Sequence, residues 1–362
     1  MERRKVAIRT SADLIDLAKQ PQVGLRLVFE TPKVVLPREG LSLTCWRDIV
    51  IDGQSSPNGK TLFTGGSLNI TGCEELECSW LACRVQRPVG ALPTRYEKSW
   101  KPMRVHAASP DVPCRYITFR NCSFSGHTDE LECGPADHAW WYANHMGKPA
   151  VDWLRFSKCM FGPSLVNLSP DRIYHNFSLA CSLTNNVEIS GSVFVGSNRR
   201  SPQLAGKGIL LSQSCVFDWG TMGTGLHAGA EVQIFGCHYF RGPHTNGKER
   251  AVSLVEVQGS NAFSPLGPAI IGIGPECVEY GTHWSPLRRG FQLWQEPEST
   301  RRSTWRRTAV AATATQMSWK DIVAQAGCGD SLDQAIRNSL MAGKHIPWIS
   351  DYTKEFPFPD TK

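Results

Sequence analysis

Residues 198–202 read NRRSP, two adjacent arginines, a spacer and a proline, one residue after the apolar run VEISGSVFVG. A guanidinium is flat, permanently charged and forked, so it can grip an anion through two parallel hydrogen bonds. The same residues also suit a solvated turn between strands, where serine and proline are common. A second basic run, RRSTWRR at 301–307, follows Arg288 and Arg289. It reads as a soluble loop, a nucleic-acid surface, or a flank that concentrates a polyanionic substrate; the reading adopted is that no nucleic acid is bound. Thirteen cysteines are present, an odd number, so at least one has no intrachain disulfide. No CxxC pair occurs, and Cys73, Cys78 and Cys83 are spaced by five, which fits no common metal site. Most cysteines therefore read as small buried apolar residues.

What positions these groups is a repeat. ITFRNCSF (117–124), LRFSKCMF (154–161), VEISGSVF (187–194), LLSQSCVF (210–217) and VQIFGCHYF (232–240) each run through alternating β-formers and a polar or small pair to a closing phenylalanine. Short strand sets recurring at this interval, joined by Gly, Asn and Ser with no helical pattern between, signal a solenoid rather than a doubly wound α/β fold. The expected fold is all-β, a right-handed parallel β-helix whose coils stack about 4.8 Å apart. Phenylalanines 124, 161, 194, 217 and 240 would then stack inside, and Cys122, Cys159, Cys215 and Cys237 would form an interior row. A β-sandwich is the competitor, but it does not require one side chain to recur at one register.

The ends carry helix signals. Thr10 and Asp13 have capping-box spacing before Leu14 and Ile15, as do Ser318 and Asp321 before an apolar stretch that Gly327 stops. SLDQAIRNSL puts Leu332, Ile336 and Leu340 on one face. The expected layout is one domain over 1–362: an N-terminal cap to residue 30, coils over 31–275 with an inserted loop at 134–149, and a C-terminal segment with capping helices over 318–342. No run reaches membrane-spanning length. The N-terminus lacks the apolar core of a secretory signal, so the protein stays in a cell, leaves by another route, is virus-encoded, or starts after a removed segment.

Four stretches, in order, resemble the pectate lyase superfamily. GLSLTCWRDIVIDGQSSPNGKTLFTGGSLNI (40–70) is similar to the entry strands with their GQTAPGG-like turn, and RNCSFSGHTDELE (120–132) to a CSFSW-x-x-DE segment. NNVEISGSVFVGSNRRSPQLAG (185–206) is similar to a strand followed by R-x-P-R-L. CVFDWGTMGTGLHAGAEVQIFGCHYFRGPHT (215–245) is similar to a segment running from N-W-G to a proline-rich turn. The resemblance implies a parallel β-helix and β-elimination on an acidic polysaccharide, most of all pectate or polygalacturonate. A base removes the proton at C5, the bond at C4 breaks, and Ca²⁺ stabilises the carbanion-like charge.

Carried over residue by residue, the resemblance makes Arg200 the base, or a bidentate carboxylate anchor that needs no unusual pKa. Asp129 and Glu130 would hold the metal, with solvated turn residues as the plain alternative. Arg199, Arg172 and His175 would meet substrate. The motif departs from the family at its second arginine, where Gln203, Leu204 and Ala205 stand, and at a lysine one coil earlier, where 172–180 offers none. In the aromatic loop 134–149, Trp140, Trp141 or Tyr142 could stack on a sugar ring or pack on the solenoid wall. The expected protein is a monomeric, calcium-assisted polysaccharide lyase with no membrane partner, secreted as its substrate demands. The alternatives are a non-catalytic, carbohydrate-binding or virion-associated β-helix and, last, a hydrolase, for which no paired carboxylate motif is seen.

Overall fold

The computed structural model describes residues 2–85, 101–126, 129–145, 147–164, 176–227, 229–245, 251–255, 269–274, 276–281, 283–287, 293–294, 305–308 and 316–346. Side chains at Asp129, Ala139, Tyr142 and Ala143 are outside that description, as are those of several residues in the last strands.

Each coil contributes one strand to each of three parallel sheets. Cys114–Arg120, Ser123–Ser125 and Asp129–Gly134 make one coil, and Val151–Ser157, Met160–Phe161 and Phe177–Ser182 make the next. Among the described residues the sheets hold eleven, nine and nine strands, each strand hydrogen-bonded to its counterpart one coil away. This is the right-handed parallel β-helix that the repeat implies. Its strands extend beyond 31–275 at both ends: Arg4–Ile8 already pairs in parallel with Val23–Phe29, and Trp305–Thr308 pairs with Ala269–Ile273.

The polar or small pair of the repeat is the corner between the first two sheets. Asn121, Lys158, Gly191, Gln213 and Gly236 occupy it with φ of 51°, 54°, 59°, 46° and 60°. Glycine and asparagine suit that left-handed turn; lysine and glutamine are carried there by the coil around them. The next residue faces inward, and backbone bonds across coils set its row as Cys122, Cys159, Ser192, Ser214 and Cys237. Cys215 is therefore not in the interior cysteine row. It pairs with Val193 and His238, one position later.

The phenylalanine row splits for the same reason. Phe124, Phe161 and Phe194 stack inside with ring centroids 5.2 and 4.8 Å apart, and the row continues as Val216 and Tyr239. Phe217 and Phe240 are one residue on, and a one-residue step turns a strand side chain to the opposite face. They stack on each other and on Tyr280 outside the second sheet, with centroids 4.3 Å apart in both pairs.

That outer stack is covered by the C-terminal helices. In chain order the helices are α1 (Ser11–Leu17), α2 (His138–His145), α3 (Trp319–Gln325) and α4 (Ser331–Met341). The Thr10–Asp13 capping box forms, and α1 inserts Leu14 into the core at the N-terminal end. Helices α3 and α4 close a side instead of an end: Ile322, Val323, Ile336 and Leu340 pack on Val193, Val195, Phe217 and Phe240. The buried Arg84 pins α4 there, its Nη2 lying 2.9 Å from Asp330 Oδ2 and 3.2 Å from Asp333 Oδ1. All thirteen cysteines are free and all but Cys45 are buried. Burial pushes the Cys83 and Cys159 thiols up to about 12, so they behave as inert apolar filler.

Candidate functional site

The third sheet carries the chemistry. Along Met103–His106 and Asp129–Gly134 the side chains alternate, with Met103, Val105, Leu131 and Cys133 facing in and Arg104, His106 and Glu132 facing out. Following the register coil by coil, one outward row reads Arg104, Glu132, Ala180, Gln203 and Gly225. Its neighbour reads His106, Gly134, Ser182 and Ala205, with His227 next in sequence order. Small residues fill the second row between its two histidines, and the charged residues of the first row, Arg104 and Glu132, stand at one end.

The arginine pair comes from the loop between the second and third sheets, and this loop is built in. Ser164, Ser178 and Ser197 share buried hydroxyl contacts of 2.7 and 2.6 Å, and Ser178 reaches Ser201 at 3.2 Å. The Asn198 carbonyl accepts from the Gly220 and Thr221 amides, and Asn176 Oδ1 accepts the Asn198 N–H. Such a network fixes where the arginines leave the backbone, unlike a solvated turn.

Arg199 bridges in parallel to Phe177, and Phe177 pairs with Asp129. Arg200 and Asp129 therefore lie along one wall, with the Phe177 coil between them. The Arg200 guanidinium sits 5.4 Å from the Phe177 ring centroid, and Lys101 Nζ sits 5.4 Å from the same centroid. Two cations converge on one aromatic ring. The lysine missing from 172–180 is thus met by a lysine from an earlier coil, two residues before Met103, as Asp129 is two before Leu131.

Lys101 also pairs with Glu132, Nζ to Oε2 at 2.5 Å. His138 on α2 approaches the other oxygen at 3.2 Å. Burial pushes the Glu132 carboxyl up, but the Lys101 charge and the His138 hydrogen bond outweigh it and hold the group well below the carboxylate range. Burial pushes His106 down to about 4 and His227 down to about 3, the latter helped by the Arg200 charge. Both imidazoles are therefore neutral at ordinary pH.

Several expected site residues are placed differently or lie outside the description. Trp141 is 3% exposed; it packs on Ala107 and Ala150 and donates from Nε1 to the Lys148 carbonyl. It is part of the wall and cannot stack on a sugar. Trp140 is 48% exposed beside His145, so it stays open to a ring. The inserted loop forms helix α2, which its aromatic composition did not signal. Arg172 and His175 lie outside the described residues, as do the side chains of Asp129 and Tyr142. Glu130 is fully buried.

The described donors do not fit calcium. Glu130 is enclosed, and both Glu132 oxygens already face Lys101 and His138. Among the described residues, three ligand atoms within 4.8 Å of one another occur at Cys328, Asp330 and Asp333, beside α4, where Arg84 already sits between the carboxylates. Sequence reading missed Lys101, His106 and His227. The alternation in MRVH could have flagged His106, but Lys101 precedes its strand and belongs to no motif.

Comparison with solved structures agrees with this architecture. The chain is similar to a major allergen of cedar pollen (TM-score 0.53, 10% identity, 89% of this chain and 88% of that one). It is similar to a pectate lyase from a Paenibacillus species (0.52, 9%, 91% and 93%). It is also similar to a Bacillus pectate lyase in complex with trigalacturonate (0.50, 8%, 90% and 93%). At such identities the likeness shows the fold, a β-helix that polysaccharide lyases use. No family model and no curated relative matches the chain. No described helix is long and apolar enough to cross a membrane.

Proposed function

We propose that the protein is a polysaccharide lyase acting on an acidic, uronate-bearing polymer, with polygalacturonate the first candidate. The observation that carries this reading is the convergence of Lys101 and Arg200 on Phe177, in register with Asp129, with Lys101 also against the outward Glu132 of the third sheet. Paired cations at fixed positions on one face suit the regularly spaced carboxylates of such a polymer.

In this reading Arg199 and Arg200 hold a uronate carboxylate, which draws electron density from C5. A base takes the C5 proton, the C–H electron pair forms the C4–C5 double bond, and the C4–O bond breaks, its oxygen leaving with a proton. Arg200 is the base of the sequence-based expectation and the anchor of the milder one. Stabilisation of the developing carboxylate charge falls to the preset cations Lys101, Arg104, Arg199 and Arg200. Calcium belongs to the expectation from resemblance; this reading does not require it, because an ammonium already lies against Glu132. A substrate of this kind would place the working protein outside the cell.

A second reading, binding without cleavage, is favoured by one observation. The positions after Pro202, where the family motif has its second arginine, hold Gln203, Leu204 and Ala205, all buried. The experiment is to incubate the protein with polygalacturonate and alginate and follow the ultraviolet absorbance of an unsaturated product. A lyase gives that signal, and Arg200→Ala loses it. Saturable binding with no unsaturated product supports the second reading, and new reducing ends without unsaturation overturn both.

A further inference from the structure

The first sheet carries a second feature on a different face. In five successive coils, a residue at or near the start of the strand adopts a left-handed backbone: Glu75, Tyr116, Trp153, Asn186 and Gly208 have φ of 54°, 55°, 57°, 53° and 66°. The register stacks them in one row. Large aromatic residues rarely adopt this conformation, and here the coil imposes it twice in succession.

Tyr116 and Trp153 form an outward aromatic stack, ring centroids 6.1 Å apart and planes within 17°. They are 48% and 53% exposed, among the largest apolar groups left in solvent. The row then shrinks from indole to amide to hydrogen. Tyr116 covers one face of Trp153; the other looks along the row over Asn186 and Gly208. A recess of about 360 Å³ opens there, lined by Trp153, Arg155, Asn186, Glu188 and Leu210 among others.

Its polar rim is set in place. Asn186 Nδ2 donates to Asp152 Oδ1 at 2.8 Å. Arg155 and Glu188 pair across adjacent coils at 2.9 Å, through both Nε and Nη2. A Cβ at Gly208 would meet Asn186 Oδ1 at 3.0 Å, so the missing side chain is what keeps the floor open. An exposed aromatic face next to a planar array of donors and acceptors suits a ring with C–H faces and equatorial hydroxyls. The volume suits one ring and part of a second. With Arg155 paired to Glu188, the lining of the recess carries no net charge that would favour a carboxylate.

We propose that this recess is a second carbohydrate site, taking an uncharged hexopyranose ring stacked on Trp153, on a different sheet from the Lys101–Arg200 cluster. It does not depend on the lyase reading. It would hold neutral stretches of a mixed polymer while the third sheet engages the acidic ones.

The test is titration with galactotetraose, mannotetraose and cellotetraose, followed by tryptophan fluorescence and calorimetry, with trigalacturonate as the charged comparison. At least one neutral tetraose should bind saturably. Trp153→Ala should weaken that binding by about tenfold or more, with Trp153→Phe largely restoring it. Asn186→Trp, which fills the recess and leaves Trp153 intact, should abolish it. Arg200→Ala should leave it unchanged, which separates this site from the Lys101–Arg200 cluster. Binding of none of the three tetraoses, equal binding to Trp153→Ala and Asn186→Trp, or displacement of the neutral sugar by trigalacturonate would overturn the proposal.

Discussion

Lys101→Met is the most informative single change in the Lys101–Arg200 cluster. Methionine keeps much of the stem and removes the charge 2.5 Å from Glu132 Oε2. The two side chains are 14% and 20% exposed, so the pair is largely but not wholly desolvated. Removing one partner of a fully buried pair costs about 3–5 kcal/mol. The solvent left at both ends puts this variant lower, at roughly 2–3 kcal/mol of stability by the same reasoning. On the proposed lyase reading, loss of one of the preset charges should lower kcat by about 10²–10³-fold.

Two further signatures separate a site charge from a structural one. Glu132 is now held well below its ordinary range by Lys101 and His138 against the upward push of burial. With Lys101 gone, burial prevails and the carboxyl rises. In the wild type, the depressed folded pKa contributes stability above the unfolded value of about 4.5, lost as pH falls through the folded pKa; the variant should lack this term. The variant also leaves a carboxylate seeking a cation, so methylammonium or calcium should restore part of its rate. The assay is initial rate of unsaturated product against pH, with and without chelator, beside urea melts of both proteins. A wild type inactivated by chelator and restored by calcium would refute this reasoning, as would a variant with an unchanged rate and pH profile.

Stability should fall on mild acidification, because His106 and His227 have folded pKa values of about 4 and about 3 against 6.5 when unfolded. Below the unfolded value the unfolded chain takes up protons that the folded one refuses, at about 1.36 kcal/mol per pH unit per histidine. Urea midpoints between pH 7 and 4 should show the loss, and His227→Gln should flatten it. Arg84→Met strands Asp333, fully buried with its carboxyl pushed up by burial and by Asp330, and should cost about 3–5 kcal/mol. Adding Asp333→Asn should recover part of that loss in thermal melts. Phe161→Ala, from a fully buried ring between Phe124 and Phe194, should cost about 3–5 kcal/mol by urea unfolding.

The solenoid was legible in the sequence because its evidence is periodic: each coil must supply one inward set, and Ile117–Phe119, Leu154–Phe156 and Val187–Ile189 do so at matching offsets. The register was less legible, because LLSQSCVF and ITFRNCSF match letter for letter at cysteine and phenylalanine. Pairing Cys215 with Val193, and not with Cys159, turns Phe217 outward. Part of the reason lies outside that segment: α3 and α4 supply an apolar cover on that side, so an outward phenylalanine is still buried. A motif read by eye cannot see a cover that comes a hundred residues later. The Lys101–Arg200 cluster shows the same asymmetry. Arg200 stood two residues before a proline in a recognisable string, whereas Lys101 reaches Phe177 across the intervening Asp129 coil, a contact that only the stacking of coils creates. Residues whose partner is the next coil can be found from the repeat length. Residues whose partner arrives through a loop or a terminal helix, such as Lys101, His138 and Arg84, need the coordinates, because no spacing along the chain encodes the contact.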